Sequence, residues 1–361
     1  SDSPFFTPLL FDTNIVGQKN CENLIGQVSI PVGIAGPLSA TLKTNKEVIK
    51  LDNILIPLAT TEGALVASIN RGCKLLNQLG NTQVRIKNVG MARAPVFVCQ
   101  TSTQARELKN WISSNLPELV KIGESTSQYL TYVDSQLFIK NNYVFVRFSF
   151  DADEAMGMNM VTIATAEIAK YVVENNKGIT CPALSSNMCT DKKTSLLTRR
   201  LGRGRWVTVK ADISSDLINS ILKTTVSDLL STYQAKIIVG SRLAGLAGRN
   251  MHVANTAAAI LTATGQDIAH TVDISQGSLT LSQSKKGVLA KLSLPSVPVG
   301  TVGGGTGLTT QLVARNLISN QVITSDILAS TIGLAALAGE LSGLAALSTS
   351  SLAASHKKLA R

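Results

Sequence analysis

The residues of this 361-residue chain best suited to chemistry are acids and lysines set among small side chains. Glu62 lies in Leu58-Ala59-Thr60-Thr61-Glu62-Gly63-Ala64-Leu65-Val66-Ala67-Ser68, and Asp267 follows Gly265-Gln266 behind an Ala-rich run. Asp191-Lys192-Lys193 come after the polar loop Ser185-Ser186-Asn187. Read singly, such an acid is a helix cap or the partner of a surface lysine. Read together, two carboxylates and a lysine pair can form a hydrogen-bonded cluster with shifted pKa values, suited to proton transfer at a carbonyl oxygen. His356, in Ala353-Ala354-Ser355-His356, reads by itself as a solvated histidine of the tail. Two glycine segments offer backbone N–H groups to an anion, Gly300-Thr301-Val302-Gly303-Gly304-Gly305-Thr306-Gly307 and Asp153-Glu154-Ala155-Met156-Gly157-Met158-Asn159-Met160. Gly157 opens a predicted helix whose N-terminus suits a phosphate, although each segment taken alone reads first as a tight turn.

Other chemistries find little support. Gly202-Arg203-Gly204-Arg205-Trp206-Val207 lacks the last glycine of a dinucleotide fingerprint, and no P-loop, H-E-x-x-H or C-x-x-C occurs. Three histidines leave little room for a multi-His centre, so no metal is expected. Five cysteines at 21, 73, 99, 181 and 189 are odd in number and irregularly spaced, which predicts reduced thiols and an intracellular, cytoplasmic setting. With 44% hydrophobic and 16% charged residues the chain is folded rather than disordered. The net charge of +11 fits nucleic acid, an anionic membrane surface or small polyanions. Its cations are dispersed, and the one dense cluster, Arg199-Arg200-Leu201-Gly202-Arg203-Gly204-Arg205, stands without interleaved aromatics, so only weak nonspecific nucleic-acid binding is expected. The apolar run 327–339 stops at Glu340, short of the roughly 18–20 residues a bilayer requires. Residues 1–20 lack a basic segment followed by an apolar one, so neither a membrane span nor a signal peptide is expected.

The elements that must position these groups fall into two compositions. Residues 1–95 and 180–361 are rich in Gly, Ala, Ser and Thr with helix-like apolar spacing, and read as helical with short strands. Between them, Leu137-Phe138-Ile139 and Tyr143-Val144-Phe145-Val146-Arg147-Phe148-Ser149-Phe150 flank Lys140-Asn141-Asn142, a strand–turn–strand hairpin, with helices predicted over 105–116 and 160–174. Such a module resembles a ferredoxin-like sandwich inserted into a larger domain; one continuous α+β domain is the alternative. Helices are predicted over 60–79, capped by Thr60 or Thr61 and closed by Gly80, over 253–264, closed by Gly265, and over 326–348, with strand and turn material at 283–297.

Ordered strings along the chain resemble one family. Glu22-Asn23-Leu24-Ile25-Gly26, Ile30-Pro31-Val32-Gly33-Ile34-Ala35-Gly36-Pro37-Leu38, Thr61-Glu62-Gly63-Ala64-Leu65, Arg93-Ala94-Pro95-Val96, Asp191-Lys192-Lys193, Gly202-Arg203-Gly204, Gly265-Gln266-Asp267 and Leu337-Ala338-Gly339-Glu340-Leu341 occur in the order found in 3-hydroxy-3-methylglutaryl-CoA reductases of the eukaryotic and archaeal class. The resemblance covers about 22–356 and implies NADPH-dependent, four-electron reduction of that thioester to mevalonate and CoA. An inactive homologue that binds CoA or serves as a scaffold is the alternative. The implied fold is α+β: an N-terminal segment 1–21, a large, mainly helical substrate-binding and dimerising domain (22–95 and 184–361), and an inserted ferredoxin-like NADP-binding domain (96–183). A homodimer with shared active sites, or a dimer of dimers, is implied as well. The absence of the family's N-terminal membrane region fits either a soluble enzyme or a soluble catalytic fragment.

Residue by residue, the resemblance makes Glu62, Lys192 and Asp267 the catalytic acid–lysine–acid set and His356 the acid that protonates the leaving thiolate. Lys192 would stabilise the oxyanion. Glu62, its pKa raised by desolvation and by Asp267, would donate a proton. Arg93, Ser185 and Lys193 match residues that hold the substrate carboxylate, and Lys236 and Asn255 lie near the reacting centre. Ser68, Asn70, Arg71, Lys74 and Lys223 match the CoA-binding set. Ser127, Gln128, Glu154, Met156, Gly157, Met158, Asn159, Gly303 and Gly304 match the cofactor set, with Gln128 and Glu154 standing where members of the human type carry Arg and Asp. No phosphorylatable serine follows His356.

Overall fold

A computed structural model describes residues 11–349. They form helices and a ten-stranded, mostly antiparallel sheet around two apolar cores. The chain opens with helix α1 (Thr13–Lys19), capped by the Asp12 carboxylate, and the hairpin β1 (Val32–Lys43) and β2 (Val48–Ala59). Helix α2 (Leu65–Leu79) and strand β3 (Gln83–Arg93) follow. Next come β4 (Val96–Val98), α3 (Ser102–Ser114), α4 (Leu116–Glu124), β5 (Thr131–Lys140), β6 (Tyr143–Asp151), α5 (Met158–Glu174) and β7 (Thr180–Ala183). The second half contains α6 (Leu196–Leu201), β8 (Arg203–Ser214), α7 (Val253–Ala263), β9 (Ser278–Gln283), β10 (Gly287–Val297) and α8 (Ser325–Ser348).

The predicted hairpin is present as β5–β6, paired from Lys140↔Tyr143 outward, and the helices beside it form α3 and α5. Strands run β7-β4-β6-β5 here, with α3 and α4 between the first and second strands in sequence and α5 between the third and fourth. Their inner faces enclose the second core, which includes Phe97, Phe148, Phe150, Val161 and Ile168. Strand β3 joins this sheet to the other: its early residues pair with β8, and Met91–Arg93 pair with β6. The switch occurs beside Gly90, at φ +71, where an added Cβ would lie 3.0 Å from the Phe150 backbone.

The first core differs from its sequence reading. Beside its helices it has long strands: β1, β2 and β8 each run twelve residues. Gly, Pro, Ser and Thr in β1 mask the period-two signal, whereas β8 alternates cleanly once its neighbours are known, Val207, Val209, Ala211 and Ile213 facing inward. On this inner face lies α8, with twenty-one buried residues. The helix continues past Glu340 to Ser348 and is long and apolar enough to cross a membrane by length and composition, but its most apolar window is wholly buried inside the fold. Small side chains let it approach its neighbours. A Cβ on Gly72 of α2 would sit 2.0 Å from the Ala338 carbonyl, and one on Gly333 would meet Val207 at 2.7 Å.

Candidate active site

Lys192 sits in a strained loop. Asn187, Thr190 and Lys192 all take left-handed backbone angles (φ 62, 57 and 56), which L-residues adopt at a cost and only where surrounding contacts hold them. Those contacts are visible: Thr198 donates its hydroxyl to Thr190 at 2.5 Å, and Gln276 accepts from the Ser195 N–H at 2.8 Å while donating to the Lys193 carbonyl. The loop presents the Lys192 ammonium to Asp267, Nζ–Oδ2 2.6 Å, with both side chains partly open to solvent. Asp267 is fixed in turn as the cap of the short turn Ile268–His270, accepting from the Ala269 N–H at 3.1 Å. Burial pushes the Asp267 carboxyl up. The Lys192 hydrogen bond, the Ala269 N–H and the charges of His270 and Lys192 outweigh it and hold the group below the ordinary carboxylate range.

Beneath this pair runs a chain of charges that the sequence reading did not find. Asp191, beside Lys192, accepts from Arg203 at 2.9 Å and faces Arg93 at 3.6 Å. Arg203, fully buried at the start of β8, also reaches Asp273 at 3.2 Å, and Asp273 accepts from His270 Nδ1 at 2.9 Å. His270 Nε2 lies 3.9 Å from Asp267, closing the path back to Lys192. Burial raises Asp191, but Arg203, His270 and Lys192 leave it net lowered. His270 and Asp273 carried no signal in the sequence. Arg203 did, as an arginine between two glycines, Gly202 and Gly204 at φ 74 and 67, but there it read as part of a dense basic cluster and as one of the family's strings, with no partner assigned.

The residues expected to hold the substrate carboxylate converge on this chain. Arg93 donates to Ser185 Oγ at 3.2 Å and to Thr162 at 2.8 Å, and Lys193 donates to the Asp191 carbonyl at 3.1 Å. Glu62 lies elsewhere on the rim. Thr60 does not cap α2; its hydroxyl accepts the Glu62 N–H at 3.0 Å, and the helix starts at Leu65 after Ala64, which is left-handed and offers no side-chain cap. The Glu62 carboxylate accepts from Asn255 Nδ2 at 3.0 Å, so α7 positions it. Glu62 is exposed, and among the described residues it contacts neither Lys192 nor Asp267 by hydrogen bond or salt bridge. The desolvation expected of it is thus missing from the single chain. Lys236 is exposed, and His356 lies outside the described residues.

The start of α7 depends on a group the sequence reading had only as part of a motif. Glu340, fully buried in α8, accepts from the N–H groups of Met251 (2.6 Å) and His252 (2.8 Å). Burial raises its pKa against the opposing effects of His252, these two N–H groups and Lys236.

Of the expected CoA set, Ser68 and Arg71 turn inward. Ser68 shares a hydrogen bond with Ser342 at 2.9 Å, and Arg71 donates to the Ser342 hydroxyl (3.0 Å) and carbonyl (2.6 Å), tying α2 to α8. Asn70 accepts from the Gly36 N–H at 3.0 Å, while Lys74 and Lys223 remain exposed.

The two glycine segments meet. Ala155 bridges Val302, and Thr301 donates its N–H and hydroxyl to the Glu154 carbonyl and Oε2, each at 2.7 Å. Glu154 Oε2 also accepts the Ser325 N–H at 2.6 Å, so this side chain holds the entry to α8. Gly157 opens α5 at φ +97, where a Cβ would strike that of Ala152 at 2.4 Å. No side chain caps α5, and nothing lies within 4 Å of a Cβ placed on Gly303 or Gly304. Thr131 pairs with Asp151, so the turn carrying Ser127 and Gln128 lies at the same end of β5–β6 as the loop leading to Gly157. An uncapped helix N-terminus beside open glycines suits a phosphate. Among the described residues no group of three or more His, Cys, Asp and Glu is placed to hold a metal ion.

The chain resembles known proteins in sequence and in fold. The family model for hydroxymethylglutaryl-coenzyme A reductase matches residues 8–361. The 3-hydroxy-3-methylglutaryl-coenzyme A reductases of Aeropyrum pernix and Methanothermobacter thermautotrophicus are each 39% identical to the chain, over 95% and 97% of it and 82% and 87% of their own lengths. In fold, the class II 3-hydroxy-3-methylglutaryl-CoA reductase of Streptococcus pneumoniae, solved bound to NADPH in open conformations, superposes with a TM-score of 0.71 over 93% of this chain and 89% of its own, at 20% identity. The chain belongs to the hydroxymethylglutaryl-coenzyme A reductase family.

Proposed function

We propose that the chain reduces 3-hydroxy-3-methylglutaryl-CoA to mevalonate and CoA, consuming two NADPH and two protons. The observation that carries this reading is the Lys192–Asp267 contact at 2.6 Å, held in a strained loop beside the Arg93–Ser185–Lys193 cluster. It supports Lys192 as the cation that faces the thioester oxygen as it gains negative charge, with Arg93, Ser185 and Lys193 as donors for the substrate carboxylate. NADPH, when bound, supplies the hydrides. Lys192 stabilises the oxyanion at each reduction, and Asp267 orients it. Glu62, steadied by Asn255, donates the proton to the alcohol oxygen, and His356 protonates the departing CoA thiolate. The uncapped start of α5 and the open glycines 303 and 304 are the parts of the chain that fit the cofactor's phosphates.

The order β7-β4-β6-β5, with helices following the first and third of these strands in sequence, supports a ferredoxin-like, NADP-binding unit over 96–183, set into a domain built from 22–95 and 184–361. The 39% identity to archaeal enzymes, against 20% to the class II structure, supports membership of the eukaryotic and archaeal class. The exposure of Glu62 supports a dimer in which a second subunit completes and desolvates the site.

The test is NADPH oxidation followed by absorbance. Lys192→Ala and Glu62→Gln should each remove nearly all turnover while the protein stays folded. Rates like those of the unaltered chain in either variant would overturn the roles assigned. CoA binding without NADPH oxidation by the unaltered chain would favour an inactive homologue instead.

A further inference from the structure

The strands of the first core turn alternate residues away from it, among them Thr208 and Lys210 of β8. There a groove of about 550 Å³ is lined by Thr41, Lys43, Arg85, Thr208, Lys210 and Lys291, among others. None of these residues belongs to the reduction site described above.

Strand register places the charges together. Lys43 of β1 lies beside Arg85 of β3, Arg85 opposes Thr208 of β8, and Lys210 of β8 opposes Lys291 of β10. Among the described residues none of the four cations forms a salt bridge. Two acids nearby are already engaged: Asp212, further along β8, accepts from Ser284 at 2.6 Å, and Asp52 of the neighbouring β2 pairs with Lys50 at 3.2 Å. Four strands at about 4.8 Å spacing put these cations within roughly 15 Å of one another.

Like charges directly opposite across a sheet destabilise it. Edge strands often carry lysines that block aggregation, but that explanation fails here, because Arg85 and Lys210 lie on β3 and β8, which have neighbours on both sides. Edge protection also needs no like-charge register. The arrangement makes sense when an anion fills the groove, since a concave cationic surface focuses its field on a ligand and the hydroxyls of Thr41 and Thr208 add donors. Its size is that of a small-molecule site. No aromatic side chain lines it, which disfavours stacked nucleic-acid bases.

We propose that this groove binds a small anion bearing two or three linked phosphate groups, independently of the reduction site. A single phosphate spans too little of the row to meet both the Lys43–Arg85 and the Lys210–Lys291 pairs.

The probe is inorganic tripolyphosphate, titrated calorimetrically into the whole chain at low ionic strength without CoA or NADPH, whose own linked phosphates would compete for the groove. A saturable event that depends on Lys210 and Lys291 is expected. The Lys210→Gln/Lys291→Gln variant should bind at least about tenfold more weakly, the loss expected for a charge-assisted contact. Its melting temperature should equal or exceed that of the unaltered chain, because a like-charge pair has gone, and its NADPH oxidation should be unchanged. Absence of a saturable event in the unaltered chain, or unaltered affinity in the variant, would overturn the proposal. Tighter binding of duplex DNA than of tripolyphosphate, through the same lysines and with a steep salt slope, would also overturn it.

Discussion

Replacing Asp273 by Asn should destabilise the protein by about 3 kcal/mol, a value set by the charges around Arg203. Both side chains are fully buried, with Arg203 Nη1 3.2 Å from Asp273 Oδ1. At an effective dielectric constant of 20, unit charges at that separation attract by about 5 kcal/mol. Removing one member of a buried pair typically costs about 3–5 kcal/mol, because the remaining ion is left without compensation. Here the compensation is only partly lost, since Asp191 still faces Arg203 at 2.9 Å, which places the cost at the lower end. Asparagine keeps the volume and one acceptor oxygen, so the loss reports charge rather than a cavity. The assay is urea unfolding followed by both fluorescence and circular dichroism, because two cores can unfold at different midpoints and Trp111 and Trp206 lie on different ones. A cycle with Arg203→Met should show a coupling of about 1–3 kcal/mol, the double variant losing less than the sum of the singles. A cost under about 1 kcal/mol for Asp273→Asn, or strict additivity, would refute the argument that this pair holds the floor of the site.

Three further outcomes follow from packing and charge. Gly72→Ala should lower stability by about 1–3 kcal/mol, because its methyl would meet the Ala338 carbonyl at 2.0 Å and push α2 off α8; thermal unfolding measures it, and a neutral result would show that the helices move apart freely. Asp191 and Asp267 are both held below the ordinary carboxylate range, so they stabilise the fold at pH values above the unfolded carboxyl pKa. That contribution disappears as pH falls through their depressed folded values, and Asp191→Asn should flatten the acid limb of a stability–pH curve. Burial pushes the Cys73 thiol up to about 12, whereas Cys21 is exposed. Alkylation of the native protein near pH 8, read by mass spectrometry, should therefore label Cys21 and spare Cys73.

Much of the frame was legible because it is local. The β5–β6 hairpin announces itself by alternation around Lys140-Asn141-Asn142, and α2 ends at Gly80 in the left-handed conformation its composition foretold. Long strands of the first core escaped because Gly33, Gly36, Pro37 and Ser39 of β1 mask its alternation in a stretch that reads as helical with short strands, and because its buried positions become a face only once β2 and β3 lie alongside. The site divided in the same way. Lys192 and Asp267 stand 75 positions apart, and family resemblance paired them where spacing could not. The charges beneath them had no such guide, since Arg203 meets Asp191 at a separation of 12 and Asp273 at 70, neither a helix nor a strand period.

That chain of charges bears on which group can donate a proton. Asp191 and Asp267 are depressed by cations within hydrogen-bonding reach, so both are anions at neutral pH. Lys192 pairs with Asp267 at 2.6 Å, and Asp273 faces a buried arginine. Each of these groups would have to break an ion pair to change its protonation during turnover. Glu62 alone among the proposed catalytic carboxyls stands outside the network; among the described residues its carboxylate is tied only to the neutral amide of Asn255. A second subunit or a bound substrate that covers it would desolvate a carboxyl that no salt bridge holds as the anion among the described residues. The network thus supports a division of labour: Lys192 keeps its charge through both reductions, and the proton for the alcohol comes from Glu62. On that argument Glu62→Asp, which keeps the acid but shortens its reach, should retain partial turnover with its pH profile intact in shape. If Glu62→Asp and Glu62→Gln were equally inactive towards an aldehyde substrate supplied directly, position rather than acidity would be what residue 62 contributes.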